Sequence, residues 1–157
     1  MKVLHVIDSG GFYGAEAMLV ELALEQQKAG IEVTVCSIGT LNEIEKPIER
    51  VCREKGITVY ALKMKSGLNL LGGLEVVRYA KEHQFDILHS HGYKGNILLG
   101  ILPKFIRTLP IVTTVHGWTS AGGFTKMKVY ESLDSILLSR MDAVVLVSEA
   151  MRQRKEI

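Results

Sequence analysis

The sequence predicts an α/β protein built on a doubly wound, mostly parallel sheet. Three observations carry that expectation. Six short runs rich in Val and Ile recur along the 157 residues, each followed by a stretch of helical pattern, the alternation that strand–helix–strand units produce. Runs such as Ala143-Val144-Val145-Leu146-Val147 carry no polar residue, which predicts strands covered on both faces, as in a parallel sheet. Gly30 and Gly56 each follow a helical stretch, at the place where a left-handed residue ends a helix.

The elements follow in order. Lys2 to Ile7 reads as a strand, and Asp8-Ser9-Gly10-Gly11-Phe12-Tyr13-Gly14 as a glycine-rich turn. A helix is expected from Ala15 to Ala29, with Met18, Leu19, Leu22 and Ala23 on one face. Strands are expected at Ile31 to Ile38, Ile57 to Leu62, Asp86 to His89, Ile111 to His116 and Ala143 to Val147. Helices are expected at Glu43 to Lys55, Leu71 to His83, Gly95 to Ile106 and Lys126 to Arg140, with another starting at Glu149. Pro103 should bend or end the helix in which it falls. Right-handed crossovers then give a Rossmann-like strand order 3-2-1-4-5-6. Its crevice lies between the first and fourth strands, and ligands bind there, beyond the carboxyl ends.

Composition narrows the function. A chain of this length suits one domain and hides roughly 68–70% of its unfolded surface. With 47% hydrophobic and 23% charged residues it is an ordinary globular sequence, not a disordered or fibrous one. A net charge of +2 is too small to point to nucleic acid as a partner. Cys36 and Cys52 form no CxxC pair, so reduced thiols in a cytosol are the simplest expectation. No export signal is expected, because Asp8 ends the first apolar run too early, and no apolar run is long enough to cross a membrane. A cytoplasmic protein with possible peripheral contact at the inner face of a membrane is the expectation.

Candidate chemistry clusters at strand ends. In the first turn, Gly11 and Gly14 match the last two glycines of a dinucleotide fingerprint, but Ser9 stands at the first, and the second strand ends Cys36-Ser37-Ile38-Gly39 with no acid. An NAD site is therefore disfavoured. Gly10 and Gly11 still let backbone N–H groups approach an anion at a helix N-terminus, although a plain tight turn would look the same. His89-Ser90-His91-Gly92 ends the fourth strand and His116-Gly117-Trp118 the fifth, so three histidines could converge on the ligand edge. His-x-His can hold zinc, but no Asp, Glu or Cys lies in the same local run, and no metal is expected. One histidine binding substrate with another structural is the alternative to histidines satisfied in the core; His89 suits the core, as does His5 in mid-strand, while His83 suits the surface. Lys63, Lys65, Lys94, Lys126 and Lys128 fall after strand ends, where they could attract an anionic ligand or lipid surface. The apolar stretch Asn69 to Leu74 lies on the same edge and could meet lipid or acceptor, or simply begin a core-facing helix. No Gly-x-Ser-x-Gly elbow occurs, so serine hydrolase chemistry has no support.

Four stretches in order carry a resemblance: Ser9-Gly10-Gly11 through Tyr13-Gly14-Ala15-Glu16 to Gly30-Ile31-Glu32-Val33-Thr34-Val35; Asp86 to Gly92; Val112-Thr113-Thr114-Val115-His116-Gly117; and Asp142 to Glu149. The chain resembles the N-terminal domain of a family 4 glycosyltransferase, one of the retaining nucleotide-sugar enzymes of the two-domain GT-B fold. The resemblance implies that residues 1–157 form the acceptor-side domain, with Gly10 and Gly11 offering N–H groups to the donor diphosphate. It implies that His91 contacts the donor sugar and its phosphate, that His116 shapes the same pocket, and that positive charge there stabilises the departing nucleoside diphosphate. A nucleotide-sugar as co-substrate, no other cofactor, and a glycan or lipid-linked acceptor of polysaccharide biosynthesis are implied with it. The family's paired glutamates, with seven residues between them, are not found: no glutamate here has a partner eight positions on. The nucleotide-binding C-terminal domain is therefore expected to be absent from this chain, and the chain alone to be inactive. A binding domain for a phosphorylated small molecule, without catalysis, is the rival expectation.

Overall fold

The computed structural model describes residues 1–65, 67, 69–116, 126–149 and 151, with the side chains of 126–129 and 131 outside the description. Its order is β1 (Lys2–Ile7), α1 (Gly14–Lys28), β2 (Glu32–Thr40), α2 (Pro47–Glu54), β3 (Thr58–Met64), α3 (Leu70–Glu82), β4 (Ile87–His91), α4 (Tyr93–Gly100), α5 (Lys104–Arg107), β5 (Ile111–Val115), α6 (Lys126–Leu138) and β6 (Ala143–Leu146). The six strands form one sheet in the order β3-β2-β1-β4-β5-β6, and all five pairings are parallel. The expected strand order and its crevice between β1 and β4 are both present. The helix expected from Gly95 to Ile106 is two helices, because Pro103 cannot donate the backbone bond that would join them. The helix expected from Glu43 starts at Pro47, a residue suited to the first helical turn. Of the helix expected after Glu149, residues 150 and 152–157 lie outside the described residues.

The sheet is covered on two faces by different helices. Leu4, Val6, Cys36, Ile38, Leu62, Leu88 and Ile111 share one core with α3, α4 and α6. Ile7, Val33, Val35 and Ile57 share the other with α1 and α2, through Leu19, Val20, Ala23, Ile48 and Cys52. Side chains alternate between the faces along each strand, so one parity of each strand meets α1 and the other meets α4. β6 departs from its expected double cover. It is an edge strand paired only with β5, and Val144 and Val145 are exposed.

Candidate active site at the carboxyl edge

The sheet register assembles the histidines. His5 sits opposite His89, and Ile7 opposite His91; His91 in turn sits opposite Thr114. These positions share the parity that faces α1, so His5, His89, His91 and Thr114 lie together beneath that helix, and His116 follows just past β5. His5 and His91 are 0% and 2% exposed, and His89 is 8% exposed. Gln26 of α1 begins a chain of contacts: its Oε1 lies 2.7 Å from Nε2 of His5. Nδ1 of His5 lies 3.0 Å from Nε2 of His91, and Nδ1 of His91 lies 3.2 Å from Nε2 of His116. Nε2 of His89 lies 2.8 Å from Oγ1 of Thr114, and its ring stacks on that of His91 with centroids 4.4 Å apart.

Burial strips these rings of charge, because a charged imidazole loses more than a neutral one on leaving water. Burial pulls His5 down to about 4, against a hydrogen bond from the Gln26 side that raises it. Burial, with His5 and His116 adding to it, pulls His89 down to about 3. His91 is held well below the ordinary range by burial and by the surrounding histidines. His116 is lowered by burial and partly restored by the Glu16 carboxylate. The histidine cluster is therefore neutral near pH 7, and the positive charge expected of it lies elsewhere on the edge.

That charge sits around Asp8, which follows β1. Lys46 Nζ reaches Asp8 Oδ1 at 2.8 Å, and Lys94 Nζ reaches Oδ2 at 2.7 Å. Lys46 is 5% exposed and also donates to the Ile38 carbonyl at 2.5 Å. Burial raises the Asp8 carboxyl, but hydrogen bonds from Lys46 and Lys94 outweigh it and hold the group below its ordinary value. Beside Asp8, a cavity of about 190 Å³ opens on the α4 side, lined by Tyr93, Lys94, Ile97, Leu98 and Tyr130. It lies at the β1–β4 crevice, where an open α/β sheet takes its ligands.

The first turn is ordered by its own residues. Ser9 is buried, and its Oγ donates to the Gly11 carbonyl while accepting from the Gly11 N–H at 3.3 Å. A Cβ on Gly11 would meet the exposed Tyr13 ring, which would have to shift, whereas Gly10 faces open space. The Tyr13 N–H donates to the Glu16 carboxylate at 2.9 Å, at the N-terminus of α1. Gly92 turns the chain from β4 into α4 with φ +81, a conformation that side chains resist.

The expected lysines divide. Lys94 joins Asp8 at the crevice, and Lys65 is exposed just past β3. Lys63 lies within β3, its Nζ 3.5 Å from the buried Glu49 carboxylate. The Lys126 and Lys128 side chains, and residues Gly117 and Trp118, lie outside the described residues. Leu70 and Leu71 begin α3 at 50% and 76% exposure, while Gly72 and Gly73 behind them are buried. His5, Gln26, Asp8 and Lys46 belong to the edge without having been singled out. Strand parity was the signal that could have found His5, and position after β1 the signal for Asp8.

Ligand atoms of His5, His89 and His91 lie within 4.8 Å of one another, a spacing that invites a metal. His5 and His91 use nitrogens on each other, however, and that pair would have to part for either of those nitrogens to take an ion.

The fold has relatives among known proteins. Among solved structures, HepE (Alr3699) of Anabaena, in complex with UDP, superposes with a TM-score of 0.74 at 22% identity, over 96% of this chain and 38% of that one. MurG of Acinetobacter baumannii gives a TM-score of 0.62 at 14% identity, over 92% and 40%. UDP-GlcNAc 2-epimerase of Neisseria meningitidis, bound to UDP-GlcNAc, gives 0.58 at 18% identity, over 87% and 38%. These identities establish a shared Rossmann-like fold of the GT-B type, and this chain spans about two fifths of each of those chains. No curated protein matches the chain in sequence. The model of Glycosyltransferase Family 4 matches residues 12–154, nearly the whole length. The chain belongs to glycosyltransferase family 4.

Proposed function

We propose that this domain forms one wall of the cleft of a retaining, nucleotide-sugar-dependent glycosyltransferase, with a nucleotide-binding domain supplied by the rest of the protein. The observation that carries the reading is the neutral histidine chain ending at His116 beside the N-terminus of α1. A polar, partly dry edge of this kind strengthens every hydrogen bond made to a ligand. In this reading the donor diphosphate meets the Gly10–Gly11 turn at the α1 N-terminus, where the helix dipole favours an anion. His116, the more exposed end of the chain, touches the donor sugar or its phosphate, and His91 stands behind it.

The acceptor occupies the cavity at Tyr93 and Tyr130, with Lys94 at its rim. Lys65 and the exposed Leu70 and Leu71 would meet a lipid-linked acceptor or an anionic membrane surface. No described helix is long and apolar enough to cross a membrane, so such contact would be peripheral. The departing diphosphate helps to deprotonate the acceptor hydroxyl, and no protein nucleophile is required. The test is nucleoside diphosphate release by the protein carrying this domain, with UDP-, GDP- and ADP-sugars and a panel of glycan and lipid-linked acceptors. Release dependent on one donor and one acceptor supports the reading; binding of every donor with no release would support a binding domain instead.

A further inference from the structure

The contacts from Gln26 to His116 form a directional chain. A neutral imidazole has one donor nitrogen and one acceptor nitrogen, so fixing one ring fixes the next. Gln26 presents its carbonyl Oε1 to His5 at 2.7 Å, which requires the proton of His5 on Nε2. Its Nδ1 is then an acceptor, and the 3.0 Å contact is made by the Nε2–H of His91. Nδ1 of His91 is an acceptor in turn, and the 3.2 Å contact is made by the Nε2–H of His116. The chain ends with Nδ1 of His116 holding a lone pair, with no partner for it among the described residues. An amide nitrogen facing His5 instead would reverse every donor in the chain and leave an N–H at the end.

We propose that Gln26 is a positioning residue: from α1, through His5 and His91, it sets the tautomer of His116 so that Nδ1 faces the cleft as a hydrogen-bond acceptor. The group that meets His116 is then a donor, a hydroxyl of the sugar, and not an unprotonated phosphate oxygen. The ligand class rests on the transferase reading, whereas the tautomer does not. Burial matters to the device, because rings as weakly basic as those of His5 and His91 stay neutral and keep one proton each.

The test is nitrogen NMR of the 157-residue chain labelled at histidine, at neutral pH and without nucleotide or sugar. The expected wild-type result is a proton on Nε2 and a pyridine-like Nδ1 in His5, His91 and His116. Gln26→Leu removes the selecting carbonyl, and the added bias, about tenfold for one hydrogen bond, should fall away and leave a measurable Nδ1–H fraction in all three rings. Gln26→Lys, which can only donate, should move the protons to Nδ1. A wild-type chain with Nδ1–H on His91 or His116 overturns the proposal without any variant having to fold. So does a folded Gln26→Leu chain whose tautomers are unchanged. Loss of thermal stability alone would not move these signals, and failure of transferase activity would leave them as they are.

Discussion

On the α1 side of the sheet, three buried imidazoles and the part-exposed His116 lie in contact without a net charge near pH 7. On the α4 side of the same edge, Asp8 gathers the ammonium groups of Lys46 and Lys94. The histidines stand on β1 and β4 and just past β5, Asp8 stands just past β1, and both regions bury polar groups. A histidine can leave water by giving up its proton, since its ordinary value lies close to neutrality. Lys46, by contrast, is buried together with a carboxylate and a carbonyl that its ammonium group meets. The edge thus offers a ligand two chemistries side by side: neutral hydrogen bonding at the histidines and paired charge at the crevice.

Acid should break the histidine side first. The folded-state values of His5 and His89 lie below their unfolded value of 6.5, so the unfolded chain binds more protons and stability is lost as pH falls below 6.5. By pH 4 the His5 shift alone is worth about 3 kcal/mol, with His89 continuing the loss toward about pH 3. Urea unfolding from pH 7 to pH 4 checks this; a flat profile would mean that the rings are charged in the folded state. The charged side breaks differently. Asp8→Ala strips Lys46 of its buried partner and should cost about 3 kcal/mol by urea unfolding at pH 7, well above the cost of an exposed pair.

Smaller changes sharpen the contrast. Thr114→Val removes the partner of His89 Nε2 in a buried site and should cost about 2 kcal/mol with little change in shape. Lys104→Ala removes an ion pair to Asp142 made by a side chain 71% exposed, and its effect should stay under about 0.5 kcal/mol. If Lys104→Ala cost as much as Asp8→Ala, burial would not be what separates the two kinds of pair.

The fold was legible because its signals are local and repeated. Runs such as Val33-Thr34-Val35 and the stop at Gly30 need no knowledge of the rest of the chain, and strand order followed from the number of units. The site was legible only in part. His89, His91 and His116 stand at strand ends and drew notice. His5 reads from the sequence only as a mid-strand core residue, because its place beside His89 depends on the β1–β4 register, which pairs residues 84 positions apart. Gln26 looked like one more polar residue on a helix, and only the packing of α1 over the β1 face makes it a neighbour of His5. The charge state of the cluster was equally hidden, since sequence shows that a histidine is present and not how dry its surroundings are.

The central claim is that the histidine chain ending at His116 works on a nucleotide-sugar in the cleft. Its most direct test is donor turnover by the protein carrying this domain, wild type against His116→Ala, with His91→Ala alongside and circular dichroism to confirm the fold. Loss of a preorganised hydrogen-bonding group at the reacting end should lower kcat about 100- to 1,000-fold, with the fall for His91→Ala also sharp because His116 then loses its support. Turnover within a few-fold of wild type for a folded His116→Ala enzyme would contradict the account.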